Sequence, residues 1–166
     1  MKTPGTRAMV IECLPTSLCS WDFSVRSPSL GPTTVAFDWL TEQGRISADK
    51  ADYDIRKHGL LSGRWTLNQK SNVVAEAHKP SALHRSFEIT GSSTPVTLQA
   101  ESPMTRTFAF IVDGQVIGSI RPTHAFTRRA TIECEDVVPE TIQLFAFWLA
   151  VITWRRSANG SSGASS

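Results

Sequence analysis

The sequence predicts a mainly-β (α+β) domain, a closed antiparallel β-barrel of about twelve strands enclosing a hydrophobic C-terminal α-helix. Two observations carry that expectation. Between Trp21 and Glu135, short segments alternate apolar and polar residues and are separated by turns rich in Gly, Pro, Ser and Asn. That period-two pattern belongs to strands with one buried and one wet face. From Val138 to Trp154 the chain then turns apolar on every side, as in a helix that is either buried all round or spans a membrane.

Residues 1–15 lack clear periodicity and are punctuated by Pro4-Gly5 and Pro15; they read as a loose leader, with at most a short strand at Ala8–Cys13. Alternation starts at Trp21, Phe23 and Val25, set against Asp22, Ser24 and Arg26. After the Pro28–Pro32 loop, Val35, Phe37 and Trp39 form the inward phase of a second strand. A short strand near Gly44-Arg45-Ile46 precedes Tyr53 and Ile55, then Trp65 and Leu67, then Val73, Ala75 and Ala77. The second half repeats the design. Phe87 and Ile89 turn at Gly91 into Val96, Leu98 and Ala100. Phe108, Phe110 and Val112 run into Asp113-Gly114, one of the strongest short hairpin signals. In the return strand Val116–Arg121, Gly118 permits a close backbone approach or a bulge. Ala130, Ile132 and Cys134 complete the series before the helix.

The helix opens on Pro139, whose missing N–H costs nothing in a first turn, with Glu140 at the positive end of the dipole. Arg155 and Arg156 suit its negative end. A membrane span needs about 20 apolar residues, whereas Ile142 to Trp154 offers about 13, the length of a buried helix. A barrel of roughly twelve strands is too wide to fill itself, since about eight is the size that does so. A helix about 10 Å across occupies such a lumen. The expected organisation is a leader at 1–15, a barrel over 16–156 with its central helix at 138–156, and a flexible Ser/Gly tail over 157–166.

Bulk properties narrow the function classes. Lys and Arg number 17 against 15 Asp and Glu, a net charge of +2, too mild to imply nucleic acid as a partner. Met1 to Leu14 does not form a convincing signal peptide, so a cytoplasmic location is expected. Cys13, Cys19 and Cys134 are odd in number and lack paired spacing, which argues against a disulfide framework and against a metal site. His58, His78, His84 and His124 fall at turns and strand ends without metal-ligand spacing. No nucleophile elbow or phosphate-binding glycine loop occurs. A non-enzymatic monomer without metal or cofactor is expected.

The consecutive hairpins Trp65–Ala77, Phe87–Ala100 and Phe108–Ile120, followed by Ala130–Trp154, resemble the tubby C-terminal-like superfamily, which includes tubby domains, phospholipid scramblases and LURP-one-related proteins. The resemblance implies a twelve-stranded barrel around a central helix and an association with membrane lipids, because tubby domains bind phosphoinositides and scramblases act on phospholipids. The tubby basic pair cannot be placed on particular positions of this sequence, and the scramblase calcium-binding segment is missing; Asp49–Asp54 is only superficially like the latter. The expected function is therefore a phospholipid- or phosphoinositide-associated module, peripheral at the membrane. The alternative is a protein-interaction or scaffold module without lipid affinity, and an enzyme is a third reading. Lys79, Arg85, Arg121, Arg128 and Arg129 are the candidate headgroup ligands, because guanidinium and ammonium groups suit phosphate. Phe126 is a candidate apolar tip dipping into lipid.

Overall fold

The computed structural model describes residues 6–162, except for the side chains of 161 and 162. Twelve strands and one helix follow one another: β1 (Ala8–Pro15), β2 (Phe23–Arg26), β3 (Thr33–Asp38), β4 (Gln43–Ala48), β5 (Ala51–Lys57), β6 (Arg64–Gln69), β7 (Asn72–His78), β8 (Ser86–Thr90), β9 (Val96–Ala100), β10 (Phe108–Val112), β11 (Gln115–Pro122), β12 (Ala130–Glu135) and α1 (Glu140–Ser162). Each strand pairs antiparallel with its neighbours in sequence, and β1 pairs with β12 to close the barrel. No sheet edge is left open, which removes the usual hazard of edge-to-edge association.

The alternation decides which face is wet. Phe23, Val35, Ile46, Ile55, Trp65, Leu67, Phe87, Leu98, Phe108, Phe110, Ile120 and Ile132 point inward and are fully buried. They close on α1, whose residues Leu144 to Val151 are buried on every side. Neither a self-packed sheet nor a solvated helix could accommodate that much apolar surface; each covers the other. No helix among the described residues is long and apolar enough to cross a membrane.

Two boundaries differ from the sequence expectation. Ala8–Pro15 is not a loose leader. It is the strand that closes the barrel, with Ile11 opposite Ile132 and Cys13 opposite Ala130. The short strand expected at Ala8–Cys13 is present within it; its outward residues Ala8 and Val10 are apolar like its inward ones, so alternation marks it only weakly, through Glu12. α1 continues through Ser162, past the expected end at Arg156 and into the expected tail. Residues 1–5 of the leader and 163–166 of the tail lie outside the described residues.

Up-and-down connectivity gives the barrel two unlike ends. At the end where α1 enters, the connections are 27–32, 49–50, 70–71, 91–95, 113–114 and 136–139. At the end where α1 emerges they are 16–22, 39–42, 58–63, 79–85, 101–107 and 123–129. The second set is mostly longer, and it forms a rim of loops around the C-terminal part of the helix.

Candidate functional site

The rim gathers what the rest of the surface lacks. Leu18, Leu40, Leu60, Leu61, Leu83, Met104 and Phe126 are each at least 90 % exposed. Together they occupy all six rim loops, near the middle of each. The other large exposed apolar residues are Val10, Val73, Val116 and Val137, on the outer wall or toward the opposite end, and all are less exposed. Scattered surface leucines are ordinary in a folded protein. At least one almost fully exposed tip on every loop of one end, and on no loop of the other, is a pattern.

Behind the tips lies positive charge. The rim loops carry Lys79, Arg85, Arg106, Arg128 and Arg129, and the helix adds Arg155 and Arg156, against Asp22, Glu42 and Glu101. Two of these acids are already engaged. Asp22 Oδ1 accepts from the Phe37 N–H at 3.0 Å, and Glu42 receives both the Lys57 ammonium and the Arg156 guanidinium. Burial alone would raise Glu42, but its bonds to Arg156 and Lys57 outweigh that and hold it below the usual glutamate range. Lys79 is drawn below the usual lysine range by burial first, then by the charges of Arg156 and Arg85, as expected where cations crowd.

The guanidiniums are fixed on aromatic rings. Arg155 lies 3.8 Å from the Trp39 ring centroid; Trp39 stacks on Phe37, and Phe37 on Trp148 of the helix. Arg106 covers Trp154 at 4.8 Å, and Arg128 covers Trp21 at 5.3 Å. Between these groups opens a cavity of about 580 Å³ lined by Trp21, Arg85, Met104, Arg106, Phe126, Arg128 and Trp154 among others. The buried Trp154 Nε1 and Arg85 Nε have no acceptor among the described residues.

All five candidate headgroup residues sit at this end. Lys79 and Arg85 open and close the loop 79–85, Arg128 and Arg129 close 123–129, and Arg121 is the penultimate residue of β11 on the outer wall. Their engagements differ. Lys79 Nζ donates to Ala82 O at 3.3 Å, and Arg121 donates to Ser119 Oγ at 2.9 Å. Arg85 and Arg128 donate to carbonyls of neighbouring loops. Arg129 is exposed, and among the described residues its side chain has no hydrogen-bond or ion-pair partner. Phe126 is a fully exposed tip.

Sequence reasoning missed Arg106, which lies between the other basic loops, and it missed every tip except Phe126. The available signal was a large apolar residue centred in each polar loop; only knowledge of which loops share an end turns it into a face. The four histidines also fall at this end, with His58 Nε2 2.8 Å from Thr66 Oγ1. Among the described residues no group of three or more His, Cys, Asp or Glu is placed to hold a metal. In comparisons with known proteins, no family model, no curated protein and no solved structure matches the chain.

Proposed function

We propose that this barrel is a non-enzymatic module that docks end-on, loops down, onto an anionic phospholipid surface. The observation that carries the reading is the rim itself, six loops with an exposed apolar tip on each and cations behind them. Transferring a Leu, Met or Phe side chain out of water is worth about 1.5–3 kcal/mol when burial is complete. A basic residue near an anionic leaflet adds about 1 kcal/mol. Several shallow insertions acting together therefore suffice for reversible attachment without a membrane-spanning segment.

The arrangement favours a bilayer over a protein partner. The tips stand apart on separate loops, and a fluid interface accepts separate insertions, whereas a protein partner requires a continuous complementary surface. The resemblance of the hairpins to the tubby-like superfamily supports the same reading. Three free cysteines, two of them buried, suit a reducing compartment such as the cytoplasm, from which the protein would reach the membrane surface as a monomer.

The test is co-sedimentation of the full chain with vesicles of phosphatidylcholine alone, with phosphatidylserine, and with phosphoinositide, at low and moderate salt. Binding that needs anionic lipid and weakens with salt is expected. Phe126→Asp and Leu61→Asp lie across the rim from one another, and each should lower partitioning at least about tenfold, the factor equivalent to 1.4 kcal/mol. A preference among the anionic vesicles would tell a phosphoinositide site from general charge. A folded, monodisperse protein that ignores all three vesicles sinks the proposal and leaves the rim as a protein-docking face.

A further inference from the structure

Arg85, Arg106 and Arg128 stand one hairpin apart, each within two residues of the strand that follows its loop. Their side chains repeat one construction. Arg85 Nη1 donates to Pro103 O and Thr105 O, both at 2.9 Å. Arg106 Nη1 donates to Ala125 O at 3.4 Å and Thr127 O at 3.0 Å. Arg128 reaches Ser17 O at 3.2 Å and also the carbonyls of Leu18 and Ser20. Every one of these bonds runs to the next rim loop, always in the same rotational sense, from 79–85 to 101–107 to 123–129 to 16–22.

The acceptors are not arbitrary loop carbonyls. Pro103 and Thr105 bracket the tip Met104, Ala125 and Thr127 bracket the tip Phe126, and Ser17 to Ser20 contain the tip Leu18. Each guanidinium also lies over a ring, Phe108, Trp154 or Trp21, at 4.8–5.5 Å from its centroid. At Arg85 and Arg106 the two N–H bonds of one Nη1, held in the guanidinium plane, reach the carbonyls on either side of the tip. A lysine ammonium has donors enough for both carbonyls, but as a freely rotating point charge on a flexible stem it does not preset their direction as the planar guanidinium does.

We infer that Arg85, Arg106 and Arg128 are positioning residues, a head-to-tail chain of staples in which each arginine fixes the apolar tip of the next loop for docking. This rests on the docking reading above and reassigns Arg85 and Arg128, whose bonded donors face protein carbonyls. Contact with lipid phosphate then falls to Arg129, whereas Lys79 Nζ, like the stapled guanidiniums, is given to a loop carbonyl and contributes through its field.

The test uses the full chain carrying, one at a time, Arg→Lys and Arg→Gln at the three positions. Amide hydrogen exchange is read first, without lipid. Arg106→Lys should speed exchange in 123–129 by about tenfold, as local opening becomes easier, and leave 79–85 within about twofold of wild type. Arg85→Lys should loosen 101–107, and Arg128→Lys should loosen 16–22. Partitioning onto phosphatidylserine vesicles should fall as far with Lys as with Gln. Unchanged exchange in the following loop overturns the staples. So does a Lys variant that binds vesicles like wild type while Gln does not, because charge alone would then matter. The three sites are scored separately, so a variant that fails to fold leaves two to decide. Exchange without lipid judges the staples, and wild-type partitioning judges docking.

Discussion

At Gly44 the barrel wall packs closely against the helix. A Cβ built there would sit 2.2 Å from Trp148 Nε1 and 2.5 Å from Ala36 O. The missing side chain makes room for the indole of Trp148. Gly44→Ala must therefore displace a fully buried indole stacked on Phe37, and overpacking of this kind costs about 1–3 kcal/mol. In a domain of this size each kcal/mol moves Tm by roughly 2–4 °C, so a melt that does not shift would show that the close approach is absent. Glu42 makes a second residue-scale prediction. Its folded value is lowered, because Arg156 and Lys57 outweigh burial. The stability it contributes is fully present above the ordinary glutamate value of 4.5 and is lost as pH falls through the lower folded value. Glu42→Gln should lower Tm at pH 7 by a few degrees and make no difference in strong acid; an equal deficit at both pH values would refute the ion-pair account. Neither effect could be read from the sequence. Gly44 looks like any strand glycine, and Glu42 has no neighbour in the chain that marks it as a clamp.

Among the elements, α1 has no substitute. It begins as expected, with the N–H groups of Ile142 and Gln143 donating to Pro139 O. Arg155 and Arg156, expected to close the helix, instead lie before its end and tie it to Trp39 and Glu42 of one rim loop. Removing the chain after Pro139 should abolish the cooperative melt, because the inward face of twelve strands would lose its only cover. A truncated protein that still melted cooperatively by calorimetry would overturn that account. Strand identities were legible from alternation wherever one face is polar. β1 was legible only as a short strand at Ala8–Cys13, because Glu12 is the one charged residue on its outward phase. Its role in closing the barrel was hidden because its partner β12 lies at the far end of the chain. Trp21 and Trp39 alternate correctly with their strands but lie just beyond them, in the rim, where they support Arg128 and Arg155. Period-two reasoning cannot tell the last strand residue from the first loop residue, because both continue the same phase.

The molecule as a whole is polarised. Apolar tips and most loop cations collect where the helix emerges, while the tight turns at the other end carry Asp49, Asp113 and Asp136 against Lys50 and Lys70. A net charge of +2 conceals this, because composition sums over both ends. Docking by one end follows from that asymmetry, and it predicts that tip substitutions on opposite loops weaken vesicle binding alike. The sequence by itself determined the architecture. A two-residue period repeated across the chain and a helix without a wet face leave little alternative to a barrel closed around its own terminus, since each would otherwise expose its apolar surface to water. Which loops share a rim, which tips line up on it and which carbonyls each arginine reaches were decided only by tertiary structure. Strand pairing brings together loops about twenty residues apart in sequence, and closure brings the first loop beside the last.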